Sequence, residues 1–195
     1  ADPFLGDVLA ARCGTGLARV ALARGDAEGA ETLARSSLDR LARSAPAADA
    51  GTPTPFFPGR DAMREAAGCA ARHLVAAALV RRGKMEEAHG FLQEAVAGAP
   101  SDAGALFALG AFYLRRADTF PRAQKQLLLA ARNGAASPSP FALLGCWYER
   151  KGDAGRAAGC FSKALALDPG HPVAGRGLHR LRPEDARRLC AAAVD

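Results

Sequence analysis

Four histidines, five cysteines and one tryptophan are the side chains of this 195-residue chain best suited to chemistry, and their spacing limits what chemistry is open to them. His73, His89, His171 and His179 show neither an H-x3-H nor an H-E-x2-H spacing, and each falls in a different expected helix or turn. They make no zinc pattern, and a core or solvent-facing imidazole accounts for each. The cysteines are odd in number and include no C-x-x-C, which argues against a disulfide framework and a zinc site alike. A reducing, intracellular setting suits them. "RCGTGLAR" at 12–19 contains Gly-x-Gly, but no strand precedes it and the G-x4-G-K-[ST] phosphate loop is absent. No nucleophile, base and metal set converges, so the chain is not expected to be an enzyme, and no catalytic, cofactor-binding or metal-binding residue is expected.

The elements that carry these side chains are expected to be helices. There is no isoleucine and there are only seven valines and five threonines, whereas alanine and leucine dominate. The longest mostly apolar run, "LVAAALV" at 74–80, is far short of the roughly 20 residues that span a bilayer, so no membrane partner is expected. The opening "ADPFLGDVLAARCGTG" has neither a basic leader nor a long apolar core, and the chain reads as a fragment of something longer. The net charge of +6 comes largely from arginines, with doublets at 81–82, 115–116 and 187–188. Solvated helix faces explain them, and an anionic partner is allowed without being required.

One stretch repeats. Phe141, Leu144, Gly145, Tyr148, Ala157, Phe161, Ala164 and Pro169 form aromatic-x2-Leu-Gly-x2-Tyr, then Ala-x3-Phe-x2-Ala, then Pro. Upstream, Leu106, Leu109, Gly110 and Tyr113 match its first helix, and Ala123, Leu127 and Ala130 its second, at offsets of 34 to 35 residues. The extra residue falls in the turn "RRADTFPRA". Val75, Ala76, Leu79, Gly83, Ala88, Leu92, Ala95 and Pro100 give a further copy, and a weaker one over 11–43 uses Leu17, Ala18, Ala21, the turn "RGD", Ala30 and Ala34. The pattern resembles the tetratricopeptide repeat, with Phe141 in place of the usual Trp. That resemblance implies an all-α solenoid of about four to five helical hairpins with an extended binding face.

The expected organisation is a weak hairpin at 1–43, a Pro-rich linker at 44–60, three repeats over 61–171 (about 69–102, 103–137 and 138–171), and a short hairpin or truncated repeat at 172–195. Phe56 and Phe57 in the linker are candidates to dock on the helices. Within the repeat, Gly145 lies opposite Phe161 and Cys146 opposite Cys160 when the hairpin folds about Asp153. A small residue at 145 lets the helix axes approach, at about 1 kcal/mol of helix propensity relative to Ala. The cysteines could form a redox pair, though small apolar packing explains them with less. Trp147 lies off the Leu144–Tyr148 stripe. It is a candidate partner contact, with an exposed or inter-repeat structural role as the alternative. Asn133 is the sole asparagine, which leaves no paired-Asn clamp for a peptide carboxylate.

Gly152, Asp153, Arg156, Ala157, Gly159, Cys160 and Lys163 resemble a run in the large tetratricopeptide scaffold subunit of the superkiller complex. That resemblance covers about 40 residues of the 195. It implies a cytoplasmic scaffold for a DExH-box RNA helicase and WD-repeat subunits, linked to exosome-dependent 3′–5′ mRNA decay. A general peptide-binding adaptor, or direct RNA binding through basic helix faces, are the alternatives.

Overall fold

The computed structural model describes residues 3–43 and 59–181, and all the regular structure there is α-helical. The chain divides into two compact units, residues 1–100 and 101–195. The first holds α1 (Pro3–Ala23), α2 (Ala27–Arg43), α3 (Arg60–Arg81) and α4 (Met85–Gly98). In the second are α5 (Ala103–Arg115), α6 (Phe120–Asn133), α7 (Pro138–Arg150), α8 (Ala154–Leu167) and α9 (Pro172–Arg180). Sequential helices pair as hairpins, α1 with α2, α3 with α4, α5 with α6 and α7 with α8. Within the units α2 and α1 pack on α3, α6 packs on α7, and α9 closes on α7 and α8. Residues 44–58 of the linker, with Phe56 and Phe57, and everything beyond Leu181, including the C-terminal helix expected from Pro183, lie outside the described residues.

Each second helix is built on the same small-large-small stripe. Ala88, Leu92 and Ala95 in α4, Ala123, Leu127 and Ala130 in α6, and Ala157, Phe161 and Ala164 in α8 are all buried. In α2 the stripe shrinks to Ala30, Ala34 and Ser37, also buried. Spacings of four and three residues put these side chains on one helix face, and the alanines let the partner axis come close.

Three of the four hairpin turns share one device. Gly25, Gly83 and Gly152 adopt φ of 88°, 79° and 78°, the left-handed region that favours glycine. The amide after each donates to the carbonyl five residues back, as Asp153 N–H does to Tyr148 at 3.0 Å. This is the Schellman closure of a helix C-terminus. Asp153 then caps α8 by accepting from the Arg156 amide at 2.9 Å. The α5–α6 turn has no such glycine. There Thr119 Oγ1 donates to the Tyr113 carbonyl at 3.3 Å, and Arg150 Nη1 to that of Leu114 at 2.5 Å, so side chains satisfy carbonyls that the helix end leaves open.

In the first unit Glu31 is buried between α2 and α3. It accepts from Arg35 at 2.9 Å and from Arg82 at 2.6 Å. Burial pushes its carboxyl up, but the two arginines prevail and hold it below the usual range.

The weak N-terminal register needs correcting. Leu17, expected on the packing stripe, is 58% exposed, and the buried face of α1 is Val8, Ala11, Thr15, Ala18 and Leu22. Also, α1 begins at Pro3 and α3 at Arg60, both upstream of the repeat copies read in them.

Candidate functional site

Close packing occupies most of the signature residues in the second unit. A Cβ built on Gly145 would lie 2.5 Å from Cδ1 and 2.8 Å from Cζ of Phe161, and one on Gly110 would lie 2.8 Å from Leu127 Cδ2. The far side of the Phe161 ring meets Gly177 of α9, whose added Cβ would be 2.6 Å from both Cε atoms. Phe161 is therefore a buried knob between two glycines. Tyr113, Phe141 and Leu144 are buried with it, Tyr148 is half-buried and accepts from Gln124 Nε2 at 3.2 Å, and Pro169 is exposed in the turn after α8.

Trp147 is only 8% exposed, and it takes an inter-hairpin packing role. Its Nε1 donates to the Phe120 carbonyl at 3.0 Å, its ring stacks on that of Phe120 at 5.6 Å and 14°, and Tyr148 meets it edge-on at 5.2 Å. Cations, rather than this indole, reach solvent. The Arg150 guanidinium sits 4.1 Å from the Phe120 ring centroid, Lys151 Nζ lies 5.7 Å from Trp147, and Arg156 5.7 Å from Tyr148. Arg156 also pairs with Asp153 at 3.5 Å, whereas Arg150 and Lys151 have no carboxylate partner among the described residues.

This cation–aromatic ledge belongs to a lopsided charge distribution. Residues 1–100 carry 12 basic and 12 acidic side chains, and residues 101–195 carry 14 and 8, so the whole +6 lies in the second unit. Counting charge by halves exposes this asymmetry. The ledge itself joins Phe120 to Trp147 across 27 residues, and no local motif announces it.

The other reactive side chains are in structural settings. Cys13, Cys69, Cys146 and Cys160 are free thiols. Burial pushes both the Cys146 and Cys160 thiols up, with Glu149 adding to the first and Asp153 to the second, so neither is primed as a thiolate. His171 Nδ1 caps α9 by accepting from the Ala174 amide at 3.4 Å, and its Nε2 lies 3.4 Å from Ser139 Oγ. His73 and His89 are half-buried, and His179 is exposed. Among the described residues, no group of three or more His, Cys, Asp or Glu is placed to hold a metal ion, and no helix is long and apolar enough to cross a membrane.

Comparison with solved structures decides the fold. The chain superposes on PilF of Pseudomonas aeruginosa with a TM-score of 0.69 at 20% identity, over 94% of this chain and 75% of that one. TTC0263, a tetratricopeptide protein of Thermus thermophilus, matches with a TM-score of 0.62 at 17% identity, covering 95% of this chain and all of that one. The fold is of the tetratricopeptide-repeat type. YrrB, described as a tetratricopeptide protein with an unusual peptide-binding site, matches with a TM-score of 0.57 at 18% identity over 86% of this chain and 73% of its own. No protein-family model matches the sequence, and neither does any curated protein.

Proposed function

We propose that this tetratricopeptide chain is a non-enzymatic scaffold for protein partners, and that the ledge of the second unit is a contact surface for their acidic segments. The observation that carries this reading is the pair Arg150 and Lys151, held against aromatic rings and left without a carboxylate. A cation fixed on a ring keeps its charge available while having surrendered part of its side-chain freedom before a partner arrives. Arg150→Glu with Lys151→Glu is expected to weaken capture of acidic partners and to leave the fold intact. Unchanged capture would remove the ledge from the account.

The finer reading is a fragment of a superkiller-complex scaffold subunit in the cytoplasm, with an RNA helicase, WD-repeat subunits and exosome factors as partners. Its support is the run from Gly152 to Lys163, part of which the fold does not require. An added Cβ at Gly159 would meet nothing within 4 Å, so packing does not ask for glycine there. Co-purification of helicase and exosome factors with the tagged chain is the test, and a clean pulldown lacking them rejects this identity while leaving the scaffold reading standing.

Two alternatives have their own support. The peptide-binding site named for YrrB favours a general peptide adaptor, for which a defined short peptide should bind saturably. The charge of the second unit favours direct RNA contact, but Trp147 has no free face for a base. RNA binding requires a steep loss of affinity with salt, and equal affinity at low and moderate salt excludes it.

A further inference from the structure

The first unit carries a different kind of surface. Of the large apolar side chains left exposed, four belong to α1: Leu5 at 46%, Leu9 at 48%, Leu17 at 58% and Val20 at 48%. At about 100° per residue, Leu5, Gly6, Leu9, Ala10, Cys13, Gly16, Leu17 and Val20 share an arc of about 140° directly opposite the buried face; it holds no charge within α1, and Arg24 follows Val20 on the same side where the helix ends. An outward helix face this wide and apolar is the mark of a surface that another element covers.

The arc has a charged border on one side. Between α1 and α3 runs a groove of about 510 Å³ floored by Gly16, Ala66, Ala67 and Ala70, with Met63 at its edge. Arg12 and Arg19 line it, and neither guanidinium has a carboxylate partner among the described residues. Asp7 lies on the opposite flank of α1. The surface is thus an apolar seam with two unpaired positive charges along one border and a negative charge along the other.

We propose that this face of α1, with the α1–α3 groove, docks an amphipathic helix of a partner protein whose apolar stripe covers Leu5, Leu9, Cys13, Leu17 and Val20 and whose acidic edge meets Arg12 and Arg19. The small side chains of the groove floor admit a close-lying helix, and charge complementarity sets which way it lies. The inference rests on the scaffold reading but uses a face remote in sequence from the ledge.

The probe is a labelled model helix of about 18 residues with leucines at i, i+3, i+4 and i+7 and glutamates along one edge, compared by fluorescence anisotropy with the same helix edged by lysines. The full chain is expected to bind the glutamate-edged helix at least about tenfold more tightly than the lysine-edged one. Arg12→Glu with Arg19→Glu should invert that preference, Leu9→Glu with Val20→Glu should abolish binding of both, and Arg150→Glu with Lys151→Glu should change neither. All six side chains are on exposed positions, and far-UV circular dichroism verifies that each variant keeps its helices. Equal affinity for the two helices, or binding indifferent to Leu9 and Val20, overturns the proposal. So does a wild-type dimer in sedimentation that Leu9→Glu with Val20→Glu returns to monomer, since a second copy would then be the occupant. If the chain captures no protein partner yet binds the probe as expected, the scaffold reading fails alone; if partners depend on the ledge but the probe does not bind, the docking face fails alone.

Discussion

Gly145 offers a test in which two opposing effects have known sizes. Replacing it by alanine gains about 1 kcal/mol of helix propensity. The added methyl, however, would lie 2.5 Å from Cδ1 and 2.8 Å from Cζ of Phe161, inside the 3.0 Å limit that Cβ contacts respect. The ring cannot retreat, because it is fully buried and Gly177 confines its other face. Overpacking of this kind costs about 1–3 kcal/mol, so Gly145→Ala should be destabilising by about 1 kcal/mol net and Gly145→Leu by more. Phe161→Val deletes the ring atoms that make the clash. In that background Gly145→Ala should instead stabilise by up to about 1 kcal/mol, a reversal of sign that general destabilisation cannot produce. Urea unfolding followed by the fluorescence of Trp147, the only tryptophan and two residues from the substitution, reads the second unit directly. Additive effects in the double mutant, with coupling below about 0.5 kcal/mol, would refute the role assigned to the ring.

Trp147→Phe keeps an aromatic ring against Phe120 and deletes the bond to its carbonyl, so it should cost about 0.5–1.5 kcal/mol in a melt followed by circular dichroism; an unchanged midpoint would show the bond to be idle. Iodoacetamide at neutral pH should modify exposed Cys13 at least about tenfold faster than Cys146 or Cys160, whose thiols burial pushes up, and mass spectrometry showing equal rates would contradict that burial. Hydrogen bonding from Arg180 holds the Glu149 carboxyl below its usual range, so the stability it contributes is present above the ordinary carboxylate pKa and is lost as pH falls through the lower folded value. Arg180 is more than half exposed, which keeps this contribution to about 0.2–1 kcal/mol. The protection factors of the α9 amides, which divide out the intrinsic pH dependence of exchange, should accordingly fall on acidification in the wild type and stay constant in Glu149→Gln.

The repeat was legible wherever spacing alone places a side chain. Ala88, Leu92 and Ala95 recur as Ala123, Leu127 and Ala130 and again as Ala157, Phe161 and Ala164 because a second helix must present small, large and small residues at fixed angles to its neighbour. The same reasoning failed at Leu17. With alanine, leucine and glycine all round α1, the period does not say which apolar face turns inward, and the residue assigned to the core stands on the opposite side. Trp147 was opaque for another reason. Its position off the Leu144–Tyr148 stripe is correct, but its nearest partner is Phe120 of the preceding hairpin, and intra-hairpin geometry cannot supply that contact.

The ledge rests on a contact that the repeat uses more than once. A left-handed glycine closes the first helix at the other three hairpin turns, yet at the α1–α2 turn Arg81 of α3 still donates to the Leu22 carbonyl, as Arg150 of α7 does to that of Leu114. The α5–α6 turn is a residue longer and lacks that glycine, and the Leu114 carbonyl near the end of α5 and the Phe120 carbonyl at the start of α6 each accept from a side-chain donor. Arg150 and Trp147 of α7 are those donors, and in reaching them they carry a guanidinium and an indole onto the Phe120 ring. These two bonds to backbone carbonyls set the guanidinium and the indole on one ring. It follows that Phe120→Ala, which keeps both carbonyl acceptors, should take away the ring that holds the Arg150 guanidinium. Circular dichroism should show the helices kept, while acidic-partner binding at the ledge would fall. A Phe120→Ala protein that still binds as the wild type does would show that Arg150 and Lys151 act through charge alone, without the positioning argued here.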